Sequence, residues 1–207
     1  MRKQVRPAAP PKLAENGEKW NRQWADRRVL DPSAKFSWYK VDGKNAREWI
    51  LPSLRAMNQG HCSFCDVYPL VDRSAEPIEH FRPKTDVRFT MLAFAWENLY
   101  YCCELCQKSK REQWDEALLA PDEATYRFER YFIFDFTTGA IQPNPRATPQ
   151  DRHAAATTIS LYGLDLSARR RYRRVALGNW IGSTNNRIDE VSYRDFVELA
   201  TTTDVQE

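Results

Sequence analysis

Hydrophobic and polar positions alternate along this chain with two periods. Leu13, Trp20 and Trp24 stand at helical spacing in "LAENGEKWNRQWADRR", with Gly17 as the weak point. A second helical stripe, Trp49, Ile50, Leu54 and Met57, runs through "NAREWILPSLRAMNQG". Pro52 restricts or kinks that helix and Gly60 suits its end. The period changes to two at Phe132, Phe134 and Phe136, and "TTG" then supplies a turn, so a β-hairpin is predicted. Thr148 as cap, Pro149 in the first turn and Gly163 past the end frame the next helix. Ser167 can cap a long basic helix reaching about Asn185, and a last short helix spans roughly Asp189 to Leu199. Residues 1 to about 11 read as a Pro-rich basic arm and residues 201–207 as a frayed end. There is no internal repeat and no low-complexity block.

Composition narrows the class. The chain has 207 residues, 42% hydrophobic and 29% charged, enough for one real core. No apolar run approaches the length a transmembrane helix needs. The start "MRKQVRPAAPPKL" has no apolar h-region, so the expected compartment is the cytosol, without membrane association. The net charge of +3 says little, but Arg169, Arg170, Arg171, Arg173 and Arg174 fall within six residues. Such a cluster is either a solvated helix face or a surface for phosphates. The seven tryptophans are expected mostly as core or interface anchors.

The five cysteines carry the sharpest chemistry. Cys62-Ser-Phe-Cys65 and Cys103-Glu-Leu-Cys106 are two matched knuckles. Each turn aims two thiolates at one point, and two knuckles complete a tetrahedron that suits Zn²⁺. A closed four-thiolate site leaves no open coordination position, so the metal is expected to be structural, contributing roughly 10–16 kcal/mol of apparent binding energy. The bland alternative is a set of ordinary buried cysteines or a redox pair. Cys102 is read as a buried small residue, and His61 and His153 are given no role. The intervening segment contains "EHFRPK", Glu79 to Lys84.

The order "CSFC", "IEHFRPK", "WENL", "CELCQKSK" resembles an HNH endonuclease of the ββα-metal class, in the variety stapled by four cysteines. The motif covers about fifty residues. "RPAAPPKL", "EKWNRQW", "DEALLAPDE" and "FERYF…TTGAIQPN" extend the resemblance to the PtuB-like HNH proteins of retron-associated and Septu-type anti-phage systems.

The resemblance implies roles. His80 would be the general base, since an imidazole near pKa 6.5 can take a proton from water. Glu79 would be a ligand of a catalytic Mg²⁺ or Mn²⁺, a hard cation that prefers oxygen. Gln107 stands where the family usually has His or Asn as second ligand, and its extra methylene is a departure. Asn98 is the middle letter of the motif and would brace the loop carrying the base. Arg82, Lys84 and Lys110 would hold substrate phosphates.

The fold class expected is α+β: a ββα-metal core with a structural Cys₄ zinc site, embedded in mainly helical flanks. Glu79 and His80 would end one strand, and a long loop from Phe81 would lead to Trp96. "NLYYCC" would be the second strand with Leu99 and Tyr101 inward, and a helix would carry Gln107 and Lys110. Three stretches are expected: 1–59 as arm and partner-docking helices, 60–116 as nuclease core, 117–207 as hairpin and C-terminal helices. The implied activity is hydrolysis of phosphodiesters in DNA, or in tRNA or other RNA, in bacterial cytoplasm. An ABC/SMC-type, PtuA-like ATPase and a retron RNA–DNA element are the implied partners. The competing expectation is a zinc-stapled, non-catalytic nucleic-acid-binding or adaptor subunit of an ATPase complex.

Overall fold

The computed structural model describes residues 1–70, 77–184 and 187–203. It is mixed α+β, with three small antiparallel ladders among helices. Helix α1 spans Pro11–Leu30 and buries Leu13, Trp20 and Trp24 on one face. Gly17 lies on that face because the chain passes close: a Cβ there would stand 3.1 Å from the Phe94 carbonyl oxygen. A two-residue ladder, β1 (Lys40–Val41) with β2 (Lys44–Asn45), precedes α2 (Ala46–Met57). Asn45 and Glu48 form a reciprocal capping box at the start of α2, which accommodates Pro52 within it.

The central unit is a strand, a strand and a helix. Strand β3 (Ile78–His80) pairs antiparallel with β4 (Leu99–Tyr101), placing Glu79 opposite Tyr100 and His80 opposite Leu99. Helix α3 (Glu104–Lys110) follows at once, with Cys103 as its N-cap. The expected inward alternation of Leu99 and Tyr101 is corrected: all three β4 residues are buried. Phe64 and Phe81 pack on the Tyr100 ring while α2 packs against the strand, so neither face meets solvent. The first knuckle is knitted into this ladder. Ser63 N–H donates to the Tyr101 carbonyl at 2.8 Å and Cys102 N–H to the Pro77 carbonyl at 3.0 Å.

A short helix α4 (Phe128–Tyr131) leads into β5 (Phe132–Asp135), which pairs with β6 (Ala140–Pro143). Phe136 falls in the turn, one residue past the strand. Gly139, at φ 75°, is needed there because a Cβ would collide with the Arg170 carbonyl. Helix α5 (Pro149–Leu161) has the expected Thr148 cap, which accepts from Asp151 N–H at 3.1 Å. Helix α6 covers Ser167–Ile181, so Ser167 is its first residue rather than its cap. It ends at Ile181, and the expected end at Asn185 lies outside the described residues. The last helix, α7, covers Arg194–Thr203 and starts later than the expected Asp189, where a 3₁₀ turn stands instead. Thr201–Thr203 are thus helical rather than frayed; 204–207 lie outside the described residues.

The three expected stretches share one buried core, running from Met1 and Trp20 through Cys62 and Tyr100 to Tyr162 and Leu164. The N-terminal arm is not free. Gln4 is buried and bonds Pro121 and Ser63, while Arg6 pairs with Asp122 at 2.5 Å and donates to the Trp96 carbonyl at 2.6 Å. Extended, polar-backbone chain finds partners here that solvent would otherwise supply. Among the described residues no helix is long and apolar enough to cross a membrane.

One buried ion pair locks α7 to the first knuckle. Asp66, in a left-handed conformation at φ 62°, accepts the Arg194 backbone N–H at 2.7 Å and its guanidinium at 2.6 Å. Arg194 also donates to Asn58 Oδ1 and Gln59 Oε1. Removing one partner strands the other charge inside. Arg194→Ala should therefore cost roughly 3–5 kcal/mol of stability, read as a lowered denaturant midpoint of the full chain.

Candidate functional site

The four knuckle cysteines converge. Cys62, Cys65, Cys103 and Cys106 are all buried, with every Sγ within 4.8 Å of the others. The Cys62–Cys106 and Cys65–Cys103 sulfurs are 3.8 and 3.6 Å apart. Ligands about 2.3 Å from a tetrahedral Zn²⁺ stand roughly 3.8 Å from one another. The donor set therefore fits a metal such as zinc. The Cys103 N–H donates to Cys62 Sγ at 3.3 Å, as a thiolate ligand invites. Cys102 is buried outside this set, with its thiol against the Cys103 carbonyl. His61 is also outside it, stacked on Tyr68 and bonded to backbone carbonyls. His153 is exposed on α5.

Sequence reasoning did not foresee Arg169. Its side chain is buried and Nη2 lies 3.2 Å from Cys106 Sγ. Burial opposes its charge, and Cys106, Cys65 and Cys103, when ionised, outweigh that and hold it above its usual range. The arginine cluster thus divides. Arg169 and Arg173, four apart on one helical face, are buried; Arg170, Arg171 and Arg174 are exposed. Arg173 donates to the Gly139 carbonyl at 2.6 Å and to that of Leu164. The four-residue spacing was the available signal, since it marks one stripe of α6.

His80 sits at the end of β3 and is only 6% exposed. Its Nε2 is 2.9 Å from the Ala93 carbonyl. A carbonyl only accepts, so Nε2 carries the proton and Nδ1 is left with its lone pair, for which no described residue provides a hydrogen bond. Trp38 stacks on the ring at 5.7 Å and Phe36 meets it edge-on at 5.2 Å. Burial, then the positive charge of Lys84, hold the imidazole well below its ordinary value, so it is neutral at pH 7.

Asn98, fully buried, bridges two strands of the intervening loop. Its Oδ1 accepts from Arg82 N–H at 2.7 Å, while Nδ2 donates to the Arg82 and Leu92 carbonyls at 3.0 and 2.9 Å. Its own carbonyl accepts from Phe81 N–H. The turn-amide alternative does not apply: these partners lie 6 and 16 residues away.

An extended strand sends successive side chains to opposite faces. Glu79 therefore faces α3 while His80 faces the aromatic cover. The expectation that Lys110 displays its ammonium for a phosphate is corrected. Lys110 is fully buried, and Nζ donates to Glu79 Oε1 at 2.7 Å and to the His80 carbonyl at 3.1 Å. A buried ammonium requires such acceptors, and β3 supplies two. Burial pushes the Glu79 carboxyl up to about 6, with Lys110 and Lys84 pulling against it. Glu79 Oε2 makes no hydrogen bond among the described residues. Gln107 is half-buried on the same helix.

Lys84 lies over the Phe36 ring at 5.3 Å, 3.9 Å from the Glu112 carboxylate, and its carbonyl is held by Trp24 Nε1. The Arg82 guanidinium lies 5.9 Å from both the Phe81 and Trp114 ring centres. Compared with known protein families, the chain matches none, and no curated protein matches it.

Asn98→Ala would leave the Arg82 N–H and carbonyl without partners and take one of two donors from the Leu92 carbonyl, which keeps the Ala95 N–H. Each unpartnered group costs about 1 kcal/mol or more, so a loss of roughly 2–4 kcal/mol is expected. Calorimetry checks that value, and faster amide exchange at Arg82 locates it.

Proposed function

We propose that this protein is a metal-dependent endonuclease of the HNH type that hydrolyses phosphodiester bonds in nucleic acid. The observation that carries the reading is the neutral His80 held by Ala93 through Nε2, with the lone pair of Nδ1 left for a water proton. A base that is uncharged at neutral pH and fixed in one tautomer is what proton abstraction from water needs. Asn98 supports the reading by clamping the loop on both sides of that ring.

In this reading Zn²⁺ at the four thiolates is structural, and Glu79 Oε2, with Gln107, would hold Mg²⁺ or Mn²⁺. That ion, when bound, supplies charge neutralisation at the scissile phosphate and leaving oxygen. His80 takes the proton of the attacking water at Nδ1. Lys84, beside the base, and Arg82, on the same loop, are the cations available to an incoming phosphate. DNA is the first substrate to test and tRNA the second. An anti-phage role in bacterial cytoplasm, with an ABC/SMC-type ATPase and a retron RNA–DNA element, belongs to the same proposal.

One observation favours a second reading. Lys110 already occupies Glu79 Oε1, and a carboxylate so paired is a weaker ligand for a divalent ion. A zinc-stapled adaptor without turnover would use Glu79 and Lys110 purely as a buried pair.

Purified protein, with and without a candidate ATPase, should be given supercoiled plasmid and bulk tRNA in Mg²⁺, Mn²⁺ or EDTA. The expected result is divalent-dependent cleavage that falls roughly 10²–10⁴-fold in His80→Ala, with zinc content and a cooperative, though lower, melting transition retained. Cleavage by that variant at the original rate sinks the assignment of His80. Zinc-loaded, folded protein that cuts neither substrate under any condition favours the adaptor.

A further inference from the structure

Arg169 is a buried cation in search of a charge. Among the described residues only Nη2 finds a partner, the Cys106 sulfur at 3.2 Å. Its Nε and Nη1 are buried and make no hydrogen bond to a described residue. No carboxylate of a described residue pairs with it. A guanidinium placed so against four neutral thiols would be an uncompensated buried charge, which is costly. Four thiolates around a divalent ion carry a net charge of about −2. That is the counter-charge the site would present to Arg169.

We propose that Arg169 is the charge partner of a loaded tetrathiolate centre, and that α6 is seated on the core only when the metal is bound. The link is short and direct. Arg169 is in the first turn of α6, and Arg173 one turn later fastens the same helix to the β5–β6 hairpin through the Gly139 carbonyl. Cys106 lies in the first turns of α3, the helix carrying Lys110 and Gln107. One ion therefore ties α3 and α6 together, and its loss removes the reason for Arg169 to be inside. This goes beyond the proposed nuclease activity and does not depend on it.

The sign of a stability change tests the idea. Arg169→Met keeps length and volume and removes the charge. With zinc bound, the variant should melt lower than wild type. With zinc removed under reducing conditions, it should melt at the same temperature or higher, because the uncompensated charge is gone. Chelator competition should give zinc affinity weaker by roughly 10–100-fold, with Arg169→Lys in between. In the wild-type full chain, zinc removal should raise amide exchange in 167–181 while 11–30 changes little. A merely structural arginine would lower the melting point equally in both states, and that result overturns the proposal. Wild-type zinc affinity in Arg169→Met, an unchanged exchange in α6, or a protein that takes up no metal overturns it as well.

Discussion

Four sulfurs all within 4.8 Å of one another are the constraint on which the rest of the structure hangs. Each pair comes from a tight turn, but the pairs are about forty residues apart in sequence. Such thiols repel once ionised, so their convergence is stable only when a cation gathers them. The consequence reaches outward through the backbone. The first knuckle bonds to β4 through Ser63 and Tyr101, and the second is the N-cap of α3. The register that sets Glu79 opposite Tyr100 and His80 opposite Leu99 is thus pinned at the cysteines rather than by a three-residue ladder, which would be marginal alone.

Around His80 the same economy produces a tension. The aromatic cover of Trp38 and Phe36 and the Ala93 carbonyl make the imidazole neutral and fix its tautomer, which favours a base. They also shield both the ring and its surroundings from solvent. Glu79 shows the same opposition: burial raises its affinity for a proton, while Lys110 holds it as a carboxylate. Desolvation strengthens every charge interaction in such a place, so a phosphate arriving beside Lys84 would feel more attraction than on an open surface. The nuclease and adaptor readings differ in whether substrate reaches that interior, not in how the interior is built.

Legibility followed the range of each interaction. The knuckles, α5 with its Thr148 cap and the β5–β6 hairpin were readable because their signals lie within a few residues. Glu79, His80 and Asn98 can be singled out from motif order; the structure sets Glu79 and His80 at the end of β3, with Asn98 clamping the loop that carries Arg82 and Lys84. What escaped was non-local. Nothing near Arg169 says that it meets Cys106, 63 residues away, and nothing near Asp66 announces Arg194, 128 residues away. The burial of Lys110 is hidden from the sequence because lysine is normally exposed, and only the fold brings the Glu79 carboxylate inside to meet it. The start of α7 moved because the 3₁₀ turn at Ile188–Glu190 and the positive φ of Tyr193 interrupt the helical pattern.

The two ends of the described chain bear on how a partner could be engaged. Residues 1 to about 11 read as a Pro-rich basic arm, and its start is tied down: Met1 and Gln4 are buried and Arg2 pairs with Asp195 and Glu198 of α7. Asp66 holds Arg194 on the same helix, so the arm, the first knuckle and α7 close on one another. Trp20 and Trp24, of the tryptophans expected as core or interface anchors, pack inside against Phe94 and Phe36. Truncating residues 1–30 would therefore strip part of the core and disturb the knuckle along with any interface. A docking role for the N-terminal region has to be sought on its exposed positions, such as Val29 and Leu30 at the end of α1, where single substitutions leave the buried contacts in place.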